Sequence, residues 1–351
     1  MKSKMGNRLS FSSDYMEGAH PSIMDALIRT NMEKTPGYGT DVYCDAAREK
    51  IRKACNAPDA EVFFLVGGTQ TNATVIDALL RGYQGVISAD TGHVSVHEAG
   101  AIEFGGHKVL TLPHKDGKIS ADQISRLIDT YQKDENREHM VMPGMVYISQ
   151  PTEYGTIYSY AELLQISDVC KKYGIPLYLD GARLAYALSC RKNDVSLADI
   201  ARLCDVFYIG GTKCGALLGE AVVIPKKDTI PHFFTLIKQH GALLAKGRLL
   251  GIQFDSLFTD HLYEHIGDGA IEYADIIRNT LAECGYRFFV DSPTNQILCI
   301  MENAFLEELK KHVEYGFWEP YDEAHSVIRF ATSWATREMD VARLCELLKA
   351  I

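Results

Sequence analysis

The 351-residue chain has no Cys-x-x-Cys pair, although it carries nine cysteines, an odd number spread from Cys44 to Cys345. That excludes the common zinc spacings and a disulfide framework, and reads as reduced, mostly buried thiols. No apolar run approaches eighteen residues, so no membrane span is expected. The start, Met1-Lys-Ser-Lys-Met-Gly-Asn-Arg8, lacks the apolar centre of a secretory signal, and the cytoplasm is the expected location. Positive charge is scarce: 36 Lys and Arg stand against 46 Asp and Glu, a formal charge of −10. A nucleic-acid partner needs clustered cations and is not expected. Internal repeats, low-complexity tracts and a Pro/Gly/Ser linker are also missing, so the whole chain is expected to fold as packed units.

With 46% hydrophobic and 23% charged residues, the composition is ordinary for a globular protein. The length slightly exceeds what one core serves, which suggests a large domain over 1–252 and a smaller one over 253–351. Short apolar runs alternate with helical patterns, so the large domain reads as α/β with a mostly parallel sheet. Strands are predicted over 61–66, 85–89, 108–112, 145–149, 177–180, 205–209 and 221–224. Helices are predicted over 69–82 and 160–173, the second ended by Gly174. Residues 229–262 read as one or two long helices. Strands over 286–290, 296–301 and 327–332, with a helix between them and another at the end, read as a smaller α+β unit.

Two strand ends carry the chemistry. Leu177-Tyr-Leu-Asp180-Gly-Ala-Arg183 ends an apolar run in a carboxylate, and Tyr208-Ile-Gly-Gly-Thr-Lys213-Cys-Gly-Ala-Leu-Leu-Gly219 ends the next in an amine among small residues. A carboxylate can hold a pyridine nitrogen protonated, and a lysine so placed can form a Schiff base with an aldehyde. Together they imply pyridoxal 5'-phosphate, although either residue alone is ordinary. Upstream, Gly67-Gly68-Thr69-Gln-Thr-Asn72 follows a strand and opens a helix, where free amides suit an anion. It lacks the Gly-Lys-Ser/Thr of a nucleotide loop and the three glycines of a dinucleotide fingerprint, so it reads as a single-phosphate site or a plain strand-to-helix turn. Arg183, a helical turn past Asp180, can neutralise that carboxylate, reach a substrate carboxylate, or form a structural ion pair. Arg329, in the apolar run Ser326–Ala331, needs a partner, and a substrate carboxylate bound bidentately is a natural one. His93 and His97 stand four apart, but no third ligand accompanies them and no metal is expected. A better use of His93 is stacking on a flat cofactor, with a nitrogen near substrate for proton transfer. Ser12-Ser13-Asp14 and Thr35-Pro-Gly-Tyr38-Gly-Thr-Asp41-Val-Tyr43 read as loops.

In this order, Ser13-Asp14, Gly-Tyr-Gly-Thr-Asp-Val-Tyr43, Gly67-Gly-Thr69, His93, Asp180-Gly-Ala-Arg183, Lys213 and Arg329 make a set that resembles the L-threonine aldolases of the low-specificity type. These are fold-type-I pyridoxal-phosphate enzymes, and the resemblance runs along nearly the whole chain. It implies retro-aldol cleavage of threonine, allo-threonine and related β-hydroxy-α-amino acids to glycine and an aldehyde. β-Elimination and transamination on a small amino acid are the alternative reactions. It implies Gly67, Gly68, Thr69 and Thr152 at the cofactor, His93 stacked on its ring, Asp180 at its nitrogen, and Lys213 bonded to it. Ser13, Arg183 and Arg329 would bind the substrate carboxylate. Tyr38 and Arg248 would come from a neighbouring subunit of a homodimer or homotetramer whose sites lie at the interface. One departure stands out. Gln150-Pro-Thr152-Glu153 replaces the Glu-Asn-Thr-His of many members, so Glu153 meets the substrate where their histidine does, and proton handling shifts toward His93.

Overall fold

Seven short apolar runs become one sheet because their Val, Ile, Leu and Phe side chains are buried on both faces, the pattern of a sheet covered by helices on either side. The computed structural model describes residues 8–350; the basic start, residues 1–7, lies outside the described residues. The strands are β1 (Leu9–Phe11), β2 (Glu61–Leu65), β3 (Gln84–Ala89), β4 (Val109–Leu112), β5 (Met142–Ser149), β6 (Leu177–Asp180), β7 (Val206–Gly210), β8 (Glu220–Ile224), β9 (Arg287–Phe288), β10 (Gln296–Glu302), β11 (Val313–Pro320) and β12 (His325–Ala331). The large sheet has the order β2-β8-β7-β6-β5-β3-β4, with only β8 antiparallel to its neighbours. The carboxyl ends of β2, β3, β5, β6 and β7 therefore open on one edge, where open α/β sheets bind ligands.

The second sheet, β1-β11-β12-β10-β9, is antiparallel except that β1 lies parallel to β11. Its core takes Phe11 from the start of the chain and begins in helix Asp268–Glu283 at Ala274. Ala270 and Ile271 of that same helix, with Leu250, Phe254, Leu257 and Tyr263, pack in the core of the large sheet. One helix thus locks the two sheets together. Among the described residues no helix is long and apolar enough to cross a membrane, and the nine cysteines are free.

Three local features differ from the sequence expectation. Residues 229–262 form three helices, Phe233–Gln239, Arg248–Leu257 and Leu262–His265, because Gly241 takes a φ of +67° and turns the chain after the first. Helix Val42–Ala54 begins immediately after the Tyr38 loop, with the Asp41 carboxylate accepting from the amides of Tyr43 and Cys44. Strand β11 was not anticipated; its register slips between Phe317 and Glu319.

Helices Val42–Ala54 and Arg248–Leu257 cross at Gly251, where an added Cβ would meet the Cys44 amide at 2.6 Å and its Cα at 2.8 Å. Backbone cannot yield as a side chain can. Gly251→Ala is expected to cost about 1–3 kcal/mol of stability through overpacking, read as a lowered denaturant midpoint with an unchanged slope.

Candidate active site

The site is built where strands end and side chains can point beyond the sheet. Asp180, the last residue of β6, is buried and accepts four hydrogen bonds. Tyr147 Oη (2.7 Å) and Asn72 Nδ2 (3.0 Å) donate to Oδ2; Tyr208 Oη and the Ala182 amide (3.0 Å) donate to Oδ1. Burial pushes its carboxyl up, but the field of His93 and the donors from Tyr208, Tyr147 and Asn72 outweigh it, leaving the group below its ordinary value and ionised. Three residues past β7, Lys213 points into the same cavity of about 310 Å³; its carbonyl accepts from Tyr186 Oη at 2.7 Å, and its amine makes no hydrogen bond or ion pair among the described residues. Burial and the repulsion of Arg183 lower its amine against the attraction of Asp14, Asp180 and Glu220. An amine so placed is readily neutral, as a nucleophile needs to be.

At another wall β2 runs through Gly67 into helix Gly68–Leu79, whose N-terminus has no side-chain cap. Its amides are left for an anion, and a Cβ on Gly68 would crowd Tyr208 Oη at 3.2 Å. Thr69 lines the cavity beside them. From β3, His93 stands over both this cavity and an adjoining one of about 540 Å³. Its Nδ1 pairs with the sealed carboxylate of Glu98 at 2.7 Å, and Glu98 Oε1 also accepts from Asn72 Nδ2 at 2.7 Å. Glu153, past β5, lines both cavities as well. The His93 amide (2.9 Å) and Ser149 Oγ (2.7 Å) both donate to its Oε1, and no side chain donates to its other oxygen. Burial, with Asp180 adding repulsion, raises its pKa against the hydrogen bond from Ser149.

Two arginines face the larger cavity. Arg183 donates twice to Asp14, at 2.6 and 3.0 Å, so it forms an ion pair with Asp14 and not with Asp180. Arg329 donates to Gln296 Oε1 and the Ser12 carbonyl, lies over the Trp318 ring, and leaves Nε buried without a partner. Burial and the nearby Arg183 bring its pKa down to about 10. A buried arginine lining a cavity, with no carboxylate partner among the described residues, suits an anionic ligand there.

Such a set of strand ends, amine and sealed carboxylate has close parallels. Residues 10–311 match the beta-eliminating lyase family. A low-specificity L-threonine aldolase of a Pseudomonas species is 31% identical over 97% of this chain and 97% of its own. The chain belongs to the beta-eliminating lyase family. Among solved structures, a threonine aldolase from Leishmania major superposes with a TM-score of 0.94 at 45% identity, covering 97% of this chain and 98% of that one. An aspartate aminotransferase from Thermus thermophilus shares the fold alone, with a TM-score of 0.72 at 15% identity over 98% of this chain and 91% of that one. The fold is that of the fold-type-I pyridoxal-phosphate enzymes.

In this member of the beta-eliminating lyase family the structure brings together Lys213, Asp180, His93, Gly67, Gly68, Thr69, Arg183 and Glu153, with Arg329 in the adjoining cavity. Two residues expected at this chain's own site, Thr152 and Ser13, line neither cavity, and the two expected from a neighbouring subunit, Tyr38 and Arg248, also lie outside both. Thr152 turns away from the cofactor cavity, its hydroxyl engaged with that of Thr156 at 2.7 Å, while Ser149 and Pro151 line the wall in its place. Ser13 has a buried, unpartnered hydroxyl beside Asp14 and lines neither cavity. Tyr38 lies under Lys238 in a separate crevice, and Arg248 donates to the carbonyls of Thr30 and Glu33. The sequence reading missed Glu98, Asn72, Tyr147, Tyr208 and Glu220. Their common signal was a polar group inside or beside an apolar strand or helix. His93 and His97 pack ring against ring at 5.7 Å, and His97 meets Trp318 at 6.4 Å.

Asp14 is fully buried and is held down to about 2 because Arg183, Lys213 and Asn295 outweigh its burial. Its folded pKa lies below the unfolded one, so its contribution is present above about pH 4 and is lost as pH falls toward 2. Unfolding measured against pH should show about 2 kcal/mol lost across that window. Asp14→Asn should lack this acid-side loss and be weaker at neutral pH, where it leaves Arg183 unpaired.

Proposed function

We propose that this chain cleaves L-threonine, L-allo-threonine and related β-hydroxy-α-amino acids to glycine and an aldehyde, with pyridoxal 5'-phosphate as cofactor. The observation that carries this is the convergence of the Lys213 amine and the Asp180 carboxylate, from the ends of β7 and β6, on one cavity that also holds an uncapped helix N-terminus. The residues present fit that cofactor: an amine without a partner for its aldehyde, an ionised carboxylate for its ring nitrogen, and free amides of Gly68 and Thr69 for its phosphate. When bound, pyridoxal phosphate supplies a carbonyl that takes the substrate amine and a protonated ring that accepts the electron pair released at Cα.

The chain's own residues do the rest. Lys213 would hold the cofactor through its amine. Asp180, kept ionised by its donors, would keep the ring nitrogen protonated. His93, fixed by Glu98, would help hold the ring. Arg329, which makes no ion pair among the described residues, and Arg183, braced by Asp14, hold the substrate carboxylate. This clamp would orient the substrate so that one bond at Cα is poised to break. Glu153, with one oxygen anchored and the other unclaimed by any side chain among the described residues, takes the β-hydroxyl proton, and His93, whose Nδ1 pairs with Glu98, keeps its other ring nitrogen as a second proton acceptor.

Tyr38 and Arg248 lie outside this chain's own cavities, as expected of residues that a neighbouring copy would supply in a homodimer or homotetramer. Exposed Ile28, Met32 and Val42 around them support the same reading. Free thiols support a reducing compartment such as the cytoplasm. β-Elimination is the second reading, favoured by the family match itself.

Incubation with threonine, allo-threonine, phenylserine and serine, assaying aldehyde, glycine and ammonia together, separates the two. Aldehyde with glycine supports the aldolase reading, and ammonia with a keto acid supports elimination. Lys213→Ala should lose the visible absorption of the holoprotein and multiple turnover. Glu153→Gln should keep that absorption while cleavage slows about 10²–10⁴-fold. Because Glu153 must be ionised to accept a proton and its pKa is raised, native cleavage should decline as pH falls through that value. Glu153→Gln should lose this limb.

A further inference from the structure

Glu220 is a buried acid that the proposed chemistry does not use. It opens β8, the strand inserted between β2 and β7, and pairs across the sheet with Leu65 on one side and Gly210 on the other. The first neighbour leads in two residues to Gly67 and the glycine loop; the second leads in three to Lys213. Glu220 therefore stands between the two anchoring segments and lines the cavity they share. The Gly211 amide donates to its Oε2 at 3.1 Å and Thr212 Oγ1 to its Oε1 at 2.8 Å. Among the described residues it makes no ion pair. Arg183 is engaged by Asp14, and Lys213 attracts Glu220.

We propose that Glu220 couples cofactor binding to proton uptake: the glycine loop accepts a phosphate dianion with full affinity only when the Glu220 carboxyl carries a proton. This rests on the pyridoxal-phosphate reading above. The physical reason is repulsion in a dry cavity, where a second anion beside the phosphate is poorly screened. Burial already pushes the carboxyl up to about 8, against Thr212, Lys213 and the Gly211 amide. The other titratable groups facing it are Asp180, Tyr178 and Tyr208 on the sheet, Cys214 after Lys213, and Tyr263 from the covering helix. Asp180 adds repulsion, and burial holds the tyrosines and the thiol protonated through this range. A phosphate arriving nearby raises Glu220 further, so binding draws in a proton above about pH 8 and none well below it.

The test uses apoprotein and pyridoxine 5'-phosphate, which carries the phosphate but no aldehyde for Lys213. Its dissociation constant is measured from pH 6.5 to 9.5 by fluorescence, and its proton uptake by calorimetry in buffers of unlike ionisation heat. The ring nitrogen's own protonation is common to native protein and Glu220→Gln and cancels in their difference. Relative to Glu220→Gln, native affinity should weaken about tenfold per pH unit above pH 8, with about one more proton taken up. Thr212→Val, which removes a donor to the carboxylate, should move that break to higher pH. Unphosphorylated pyridoxine should show no native-minus-variant difference. Equal slopes and proton counts in native and Glu220→Gln overturn the proposal. If Glu220→Gln does not fold, the absence of phosphate-dependent proton uptake by the native protein, against unphosphorylated pyridoxine, overturns it. Failure of pyridoxine phosphate to bind at any pH overturns the cofactor reading, and this proposal with it.

Discussion

A carboxylate sealed at the end of β6 is the constraint around which the rest of the site is arranged. Asp180 is ionised without an ion pair to Lys or Arg among the described residues, and the field of His93 with side-chain donors from three different elements makes that tolerable. Tyr147 comes from β5, Tyr208 from β7 and Asn72 from the helix that follows the glycine loop. Each must stay in place for the charge to survive burial, because an unpaired buried charge costs several kcal/mol. The same contacts fix the spacing of β5, β6 and β7, so the charge and the sheet geometry hold each other. Lys213 is placed by that geometry, at the end of the strand that supplies Tyr208.

The constraint spreads through Asn72. Its amide bridges Asp180 and Glu98, its carbonyl accepts from Tyr178 Oη, and Glu98 in turn holds His93. The His93 ring is thus positioned by the same network that holds the Asp180 carboxylate. On the substrate side the N-terminal segment plays the corresponding part. β1 is stitched into the second sheet, the Ser12 carbonyl receives Arg329, and Asp14 receives both Arg183 and Asn295. One short stretch therefore ties an arginine of each sheet to the same cavity, and the distance between the two sheets sets the width of the carboxylate clamp.

What could be read from sequence was whatever a short window carries. Asp180 and Lys213 each end an apolar run, and the glycines after β2 mark a turn with free amides, so their proposed roles rest on local chemistry. The ion pair of Arg183 spans 169 residues to Asp14, and no window of sequence distinguishes that partner from Asp180 three residues away. Glu220 looks like an acid at the mouth of an exposed strand until β8 is found between β2 and β7, where it becomes buried. Strand β11 hid behind Gly316 and the register slip at Phe317 and Glu319, which break the alternation that marks a strand. Helix Val42–Ala54 was legible in the Asp41 cap and the spacing of Cys44, Ala47 and Ile51; the adjacent turn-forming residues masked it.

The most direct measurement locates the covalent anchor. Holoprotein reconstituted with pyridoxal phosphate is reduced with borohydride, digested, and mapped by mass spectrometry for the pyridoxyl-modified lysine. The expected outcome is one label, on Lys213, in near one-to-one yield. Label on a different lysine, or spread over surface lysines with Lys213 unmodified, would contradict the convergence of Lys213 and Asp180 on a single ring.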